Sequence, residues 1–523
     1  AALAHFTVSK QTVSGTDGAG TALTNAELFD FTLTGVEVFV GVGATFDDNA
    51  TATDYSDDSI VTDDAIGFTG SIGSLRLVTI TQLLPLPQSW SAIQIEDLMG
   101  GFVGVDGLTM GVSGVDVKVN NASLGSERLD WQNLSLSSGT LTNPAIAKSQ
   151  ILYAEGDASI SAFGFVAALA HFTVSKQTVS GTDGAGTALT NAELFDFTLT
   201  GAEVFVGVGA TFDDNATATD YSDDSIVTDD AIGFTGSIAS IRLVSVTQLL
   251  PLPQSWSAIQ IEDLVGGFVG VDGLTMGVSG VDVKVNNASL GSERLDWQNL
   301  SLTAGTLTNP AIAKSQILYA EGDASISAFG FVAAIAHFTL SKQTVTGADT
   351  SGVSFTNAEL FEFTLTGAEV FVGVGATFDE NGTATDYADD TIDTAGALGI
   401  SASVGSFRLI TLRELLPLPR SWTAIQADGL GGGLVGITGL TFGVSGVDVK
   451  VNQSGVGVDR LDWETVSLTT GTLAPVQIDE SQLLYADGDA ALNAFGFVAA
   501  VAHFTLEKQV VSGTDGAGTT LTN

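Results

Sequence analysis

The stretch Ala162–Val179, AFGFVAALAHFTVSKQTV, returns at Ala328–Val345 as AFGFVAAIAHFTLSKQTV and at Ala494–Val511 as AFGFVAAVAHFTLEKQVV. The chain opens inside another copy, since Ala1–Val13 reads AALAHFTVSKQTV. Aligning Ala1, Ala167, Ala333 and Ala499 gives a spacing of 166 residues each time, without insertion or deletion. A constant long period constrains the architecture before any local pattern does, because neighbouring copies must bury surface against one another. The sequence therefore divides into repeats at 1–166, 167–332 and 333–498, with 499–523 the start of a fourth. Beginning and ending in mid-repeat exposes unpaired strand, so the expectation is a stretch of a longer tandem array.

Working outward from that stretch, its own conformation is ambiguous. FVAALAHF fits a short buried helix, but the Ser-Ile-Ser and Thr-Val-Ser flanks favour a strand apolar on both faces. Such a strand needs a second layer over it, from a neighbouring coil or chain. Elsewhere a period of two dominates. In Phe195-Asp-Phe-Thr-Leu199 the odd positions are apolar, and after Thr200-Gly201 the apolar residues move to even positions, Val204, Val206 and Val208. The same switch occurs at Ser279-Gly280, between Leu274, Met276, Val278 and Val281, Val283, Val285. A shift of one residue turns side chains to the opposite face, so a bulge or corner is expected at Gly201 and Gly280.

Three kinds of loop separate the strands. Gly181-Thr-Asp-Gly-Ala-Gly186 reads as a flexible polar turn, Asp213–Asp230 as a long acidic loop, and Leu249-Leu-Pro-Leu-Pro-Gln-Ser-Trp256 as a rigid extended link. Apolar strand groups near Phe163, Phe197, Phe234 and Phe268 stand about 35 residues apart, the signature of a β-solenoid with coils of roughly 40 residues. The fold expected is all-β, a continuous β-solenoid with about four coils and a rise on the order of 19 Å per repeat. The alternative is an array of β-sandwich domains, one per repeat, although no Pro/Ser-rich linker marks a boundary.

Bulk composition narrows the function. The net charge of −43, from 60 acidic against 17 basic residues, argues against nucleic acid and against anionic lipid. No cysteine is present, which removes disulfides, thiolate metal sites and cysteine nucleophiles. No uncharged apolar run approaches the roughly 18 residues of a spanning helix. Hydrophobic residues at 44% are ample for a core, so disorder is not expected despite the charge.

The acidic loop is the main candidate site. Calcium takes several carboxylate and carbonyl oxygens from a flexible loop, and the loop supplies them. Asp213, Asp220, Asp223 and Asp224 recur at Asp379, Asp386, Asp389 and Asp390, whereas Asp229 and Asp230 become Ala395 and Gly396. The eight recurring acids are the calcium candidates, and a solvated acidic surface is the alternative reading. Gly266-Gly-Phe-Val-Gly-Val-Asp272 resembles a calcium-binding glycine repeat, but its spacing is wrong and the third copy replaces the acid with Thr438. The four histidines are one repeat position, and His171 lies in no nucleophile motif, so it reads as structural. No hydrolase, zinc-protease, P-loop or dinucleotide fingerprint occurs, and no catalytic residue is assigned. The recurring tryptophans, Trp256 and Trp297 in the second repeat, fill a core or offer faces for sugars. Asn-x-Ser/Thr triplets at Asn49, Asn121, Asn133 and Asn381 are glycosylation acceptors only where the producing cell has the machinery.

Through Gly201-Ala-Glu-Val-Phe-Val-Gly-Val-Gly209 and Gly273-Leu-Thr-Met-Gly-Val-Ser-Gly-Val-Asp-Val-Lys-Val-Asn286 the chain resembles the tandem repeats of giant, acidic, cysteine-free bacterial cell-surface proteins of the LEPR-XLL type. That resemblance implies secretion and a structural or adhesive role, and it assigns no functional residue. The expectation is a non-enzymatic extracellular filament or stalk whose partner is itself, through further repeats or neighbouring chains. Two alternatives are the spacer of a giant calcium-stiffened adhesin and a carbohydrate-binding array.

Overall fold

The computed structural model describes residues 2–521 except 52, 214, 216, 218, 219, 380, 382–385 and 417. Strand accounts for 67% of the described residues. Among the described residues the only helical turns are the 3-10 turns Trp131–Asn133 and Trp297–Asn299. No helix among the described residues is long and apolar enough to cross a membrane. Two compact units form, Ala1–Ile259 with Ala288–Ala311 and Gln260–Asn287 with Ile312–Asn523. Their boundary lies inside the second sequence repeat, so compact units and repeats do not coincide.

In the first unit the strands are β1 (Ala2–Thr16), β2 (Ala22–Val42), β3 (Thr45–Asp47), β4 (Ser59–Val61), β5 (Ile66–Gln82), β6 (Gln88–Val103), β7 (Leu108–Ala122), β8 (Ser135–Ser138), β9 (Gln150–Ala162), β10 (Val166–Thr182), β11 (Ala188–Val208), β12 (Thr211–Asp213), β13 (Ser225–Val227) and β14 (Ile232–Gln248). The long strands pair as an antiparallel meander, β1–β2–β5–β6–β7–β9–β10–β11–β14. The short β3/β4 and β12/β13 hairpins stand apart and carry the acidic loops. In the second unit Leu274–Ala288, Gln316–Ala328, Val332–Ala348 and Ser354–Val374 pair antiparallel in succession, and the order continues to Val498–Gln509.

This corrects the solenoid expectation. Coils of about 40 residues would stack their strands in parallel, one coil apart. The ladders are antiparallel hairpins: Phe197 and Phe234 fall on β11 and β14, Phe268 on the strand Gln254–Val269, and Phe163 in the turn before β10. The first repeat supplies six long strands, and at about 4.8 Å per strand these cover about 29 Å across the ladder, not the 19 Å expected from four coils. Separate sandwiches are also excluded at the junctions. β9 of the first repeat pairs with β10 of the second from Gln150↔Gln177 to Ala162↔Val166. In the second unit Gln316–Ala328 and Val332–Ala348 do the same.

The stretch Ala162–Val179 is a strand end, a turn and a strand. β9 stops at Ala162, Phe163 takes φ +52°, and β10 begins at Val166. It is not buried on both faces. Ala167 and Val179 are buried, while most of β10 is half-buried and Phe163 and Phe165 are exposed. Long strands side by side cover one another's flanks, so less of each residue is reached by water without a second layer. Cross-strand pairs add to this. Arg76 donates from Nε and Nη2 to both carboxylate oxygens of Asp30 on the facing strand, at 3.1 and 2.8 Å, and Arg242 repeats this on Asp196 at 3.0 and 2.7 Å.

A second layer does exist at one end of the strands. After β7 the segment Ser123–Ser149 folds back across the sheet, and β8 within it pairs with the end of β1 through Gly15↔Leu136 and Thr16↔Ser135. Between strap and sheet lie Val13, Leu28, Val78, Ile80 and Trp90 from the strands and Trp131 and Ile146 from the strap, all at most 2% exposed. Buried polar groups fasten this strap. Asn120, fully buried, donates from Nδ2 to Leu129 O and Ala147 O at 3.0 Å each and accepts from Trp131 Nε1 at 3.1 Å. Asp17 accepts the N–H groups of Ala19 and Thr21 on Oδ1 and that of Asp130, in the strap, on Oδ2. The glycine-rich turn expected to be flexible is therefore tied down by its aspartate. In the second unit Asn452, Trp463 and Asp349 make the equivalent bonds. All six tryptophans are at most 2% exposed, so Trp256 and Trp297 offer no ring face to a sugar, and the carbohydrate-array expectation is not supported.

Replacing Asn120 with Leu strands two carbonyls and an indole N–H under the strap. Urea unfolding of the first unit is expected to lose at least about 3 kcal/mol, at 1–3 kcal/mol for each unsatisfied group. A loss below about 1 kcal/mol would show that the strap does not depend on these bonds.

Candidate functional site: the junction between repeats

β10 meets a different partner on each edge. Its own repeat supplies β11, with Phe172↔Leu199 and Val174↔Phe197. The preceding repeat supplies β9, with Phe172↔Gly156 and Val174↔Ala154. Beyond Gln177 that edge turns to Ser301–Ala304, the strap strand of its own repeat. The turn between β9 and β10 is held from both copies, since Phe163 N–H donates to Gly107 O at 2.5 Å and Gly207 N–H to Phe165 O at 2.9 Å.

His171 lies directly opposite Asp157 in this ladder, with Nδ1 3.0 Å from Oδ1. His337 and Asp323 repeat the contact at 2.9 Å. His503 approaches Asp489 at 3.1 Å and Asp487 at 3.2 Å, and the Asp489 hydrogen bond, with the Asp487 charge behind it, raises its pKa above the ordinary histidine value. The sequence shows no acid in a motif around His171 because the acid arrives 14 residues earlier, across the junction.

The second contact is made by the acidic loop. Tyr221, 8% exposed, donates its backbone N–H to Ser113 Oγ of the preceding repeat at 2.9 Å. Its phenol lies on Gly101 and Gly111, where a methyl group at either glycine would overlap the ring. Tyr387 enters the corresponding groove of Gly267, Gly277 and Ser279 in the second unit, with N–H to Ser279 Oγ also at 2.9 Å. Glycine is required on these strand interiors because its bare backbone leaves the width for a phenol. Tyr55, the first copy, is 73% exposed. Gly267, from the stretch whose spacing is wrong for a calcium motif, lines this groove. The signal for it is glycine on two neighbouring strands with serine two residues after the second, as in Gly277-Val-Ser279, and a tyrosine in every acidic loop.

The acidic candidates fall in two separate loops. Asp213 Oδ1 accepts Asn215 N–H at 3.0 Å, Asp220 Oδ1 accepts the N–H and hydroxyl of Ser222 at 3.1 and 2.7 Å, and Asp223 Oδ1 accepts the Thr217 hydroxyl at 2.9 Å. The Ser222 bonds hold Asp220 below the ordinary carboxylate pKa. Asp224 is half-buried. Asp379 Oδ1 accepts Asn381 N–H and Asp386 Oδ1 accepts Ala388 N–H, both at 3.0 Å. The Asp389 carbonyl accepts Asn381 Nδ2, and Asp390 is 4% exposed. Among the described residues no three acidic or histidine groups stand together as a ready metal cage. Gly201 has φ +56° and sits where the β10–β11 register shifts, between Leu169↔Glu203 and His171↔Thr200. Gly280, also at φ +56°, sits at the shift between Ser279↔Asp323 and Asp282↔Glu321.

Burial, with the nearby Asp224 charge second, pushes the Tyr221 phenol pKa up. The docked neutral phenol therefore contributes its full stability below the unfolded tyrosine value of about 10 and loses it as pH rises through the raised one. Gly111→Val fills the groove, so in a spectrophotometric titration one tyrosine is expected to shift to earlier ionisation. An unchanged titration curve would mean that the phenol is not held there. No protein family, curated protein or solved structure matches this chain.

Proposed function

We propose that this chain is a non-enzymatic structural protein of the cell surface or extracellular space, whose repeats join end to end into a filament or stalk. The observation that carries the reading is the junction ladder. β10 takes one edge partner from the preceding copy in a register as continuous as that of its own hairpin. Backbone hydrogen bonding then does not stop where one copy ends, and a pull along the array is shared by many bonds at once. The tyrosine in its glycine groove adds a side-chain joint at the same boundary. A charge of −43 supports the role, since like-charged surfaces resist lateral clumping. The resemblance to giant surface-protein repeats points the same way.

Electron microscopy of a tandem array of defined copy number tests this. Unbranched continuous threads are expected, lengthening by about 29 Å for each added 166-residue copy if the strands stack across the thread. Globules spaced along a slack string would overturn the reading.

A further inference from the structure

The loop enclosed by β3 and β4 carries Asp47, Asp48, Asp54, Asp57 and Asp58. Four of these commit one oxygen to the loop's own donors. Asp47 Oδ1 accepts Asn49 N–H at 3.0 Å, Asp48 Oδ1 accepts Ala50 N–H at 3.1 Å, Asp54 Oδ1 accepts Ser56 N–H at 3.1 Å, and Asp57 Oδ1 accepts the Thr51 hydroxyl at 2.8 Å. Asp58 differs. It is 8% exposed, both of its carboxylate oxygens are buried, and neither accepts a hydrogen bond among the described residues. Asp57, Asp48, Asp54 and Asp47 stand close enough for their charges to act on it.

A carboxylate removed from water without donor or counter-charge is unfavourable, and it is relieved by a proton or by a cation. A proton neutralises Asp58 alone and leaves the four acids around it repelling one another. A hard divalent cation answers both, and an all-oxygen donor set with flexible spacing suits calcium rather than zinc or copper. We propose that this loop is a calcium site, with Asp58 as its inner ligand and the uncommitted oxygens of Asp47, Asp48, Asp54 and Asp57 completing the shell. The acids are not yet gathered into a cage, so the ion closes the loop as it binds. Asp224 and Asp390 occupy the same position in the later copies, each three residues after the tyrosine that enters the preceding repeat. Resting here on the filament reading, calcium sets the loop that delivers the joint.

Calorimetric titration of the full chain with calcium, and terbium luminescence sensitised by the loop tyrosines, test the site. One ion per loop is expected, with terbium displaced by calcium but not by equal magnesium in physiological salt. The combined variant Asp58→Asn, Asp224→Asn and Asp390→Asn removes only the buried charge. It is expected to bind calcium more weakly by about tenfold or more and to melt higher than the native chain in chelator. Absence of calcium heat and terbium emission, equal binding by the variant, or equal displacement by magnesium would overturn the site. Continuous threads formed by a chain that binds no calcium would remove the site and leave the filament reading standing. Threads lost with calcium binding intact would do the reverse.

Discussion

A β-strand has two edges, and every N–H and C=O along both must find a partner or water. The structure follows from how β10 meets that requirement. One edge is satisfied by the hairpin to β11, and the other by β9 of the preceding copy. A repeat of this sequence is thus incomplete in its hydrogen bonding until its neighbour is present. That incompleteness, more than any single side chain, ties each copy in this chain to the next.

Edge pairing by itself would leave a sheet wetted on both faces, with little apolar burial to oppose chain entropy. The strap over the first repeat answers this at one end of the strands. It closes Trp90 and Trp131 into a core and is pinned by polar groups that would be costly to bury unpaired, Asn120 and Asp17. The core anchors each copy internally, while the long strands beyond it reach the neighbour. His171 with Asp157 and Tyr221 with Ser113 add contacts at the same boundary. Junction and core are therefore divided along the length of the same strands.

The all-β character was legible in the alternation around Phe195–Leu199 and in the phase shifts at Gly201 and Gly280. The pairing direction was not. Apolar groups about 35 residues apart suit parallel coils or antiparallel long strands equally, because spacing carries no sign of chain direction. The apparent two-faced burial of Ala162–Val179 misled for a related reason. Half-burial comes from pairing with β9 and β11 on both edges, which single-strand patterning does not see. The aspartate of the glycine-rich turn read as polar loop chemistry, yet its bond to Asp130 spans 113 residues. The tyrosine groove was hidden similarly, since Gly101, Gly111 and Tyr221 approach only after the meander has crossed a repeat boundary.

Hydrogen exchange at the junction tests the central claim most directly. Backbone amides facing across β9 and β10 are expected to exchange as slowly as those facing across β10 and β11, within about tenfold, because one cooperative ladder opens as a unit. Junction amides that exchange many orders of magnitude faster, while the hairpin within the repeat stays protected, would show that the copies fold separately and merely lie in sequence.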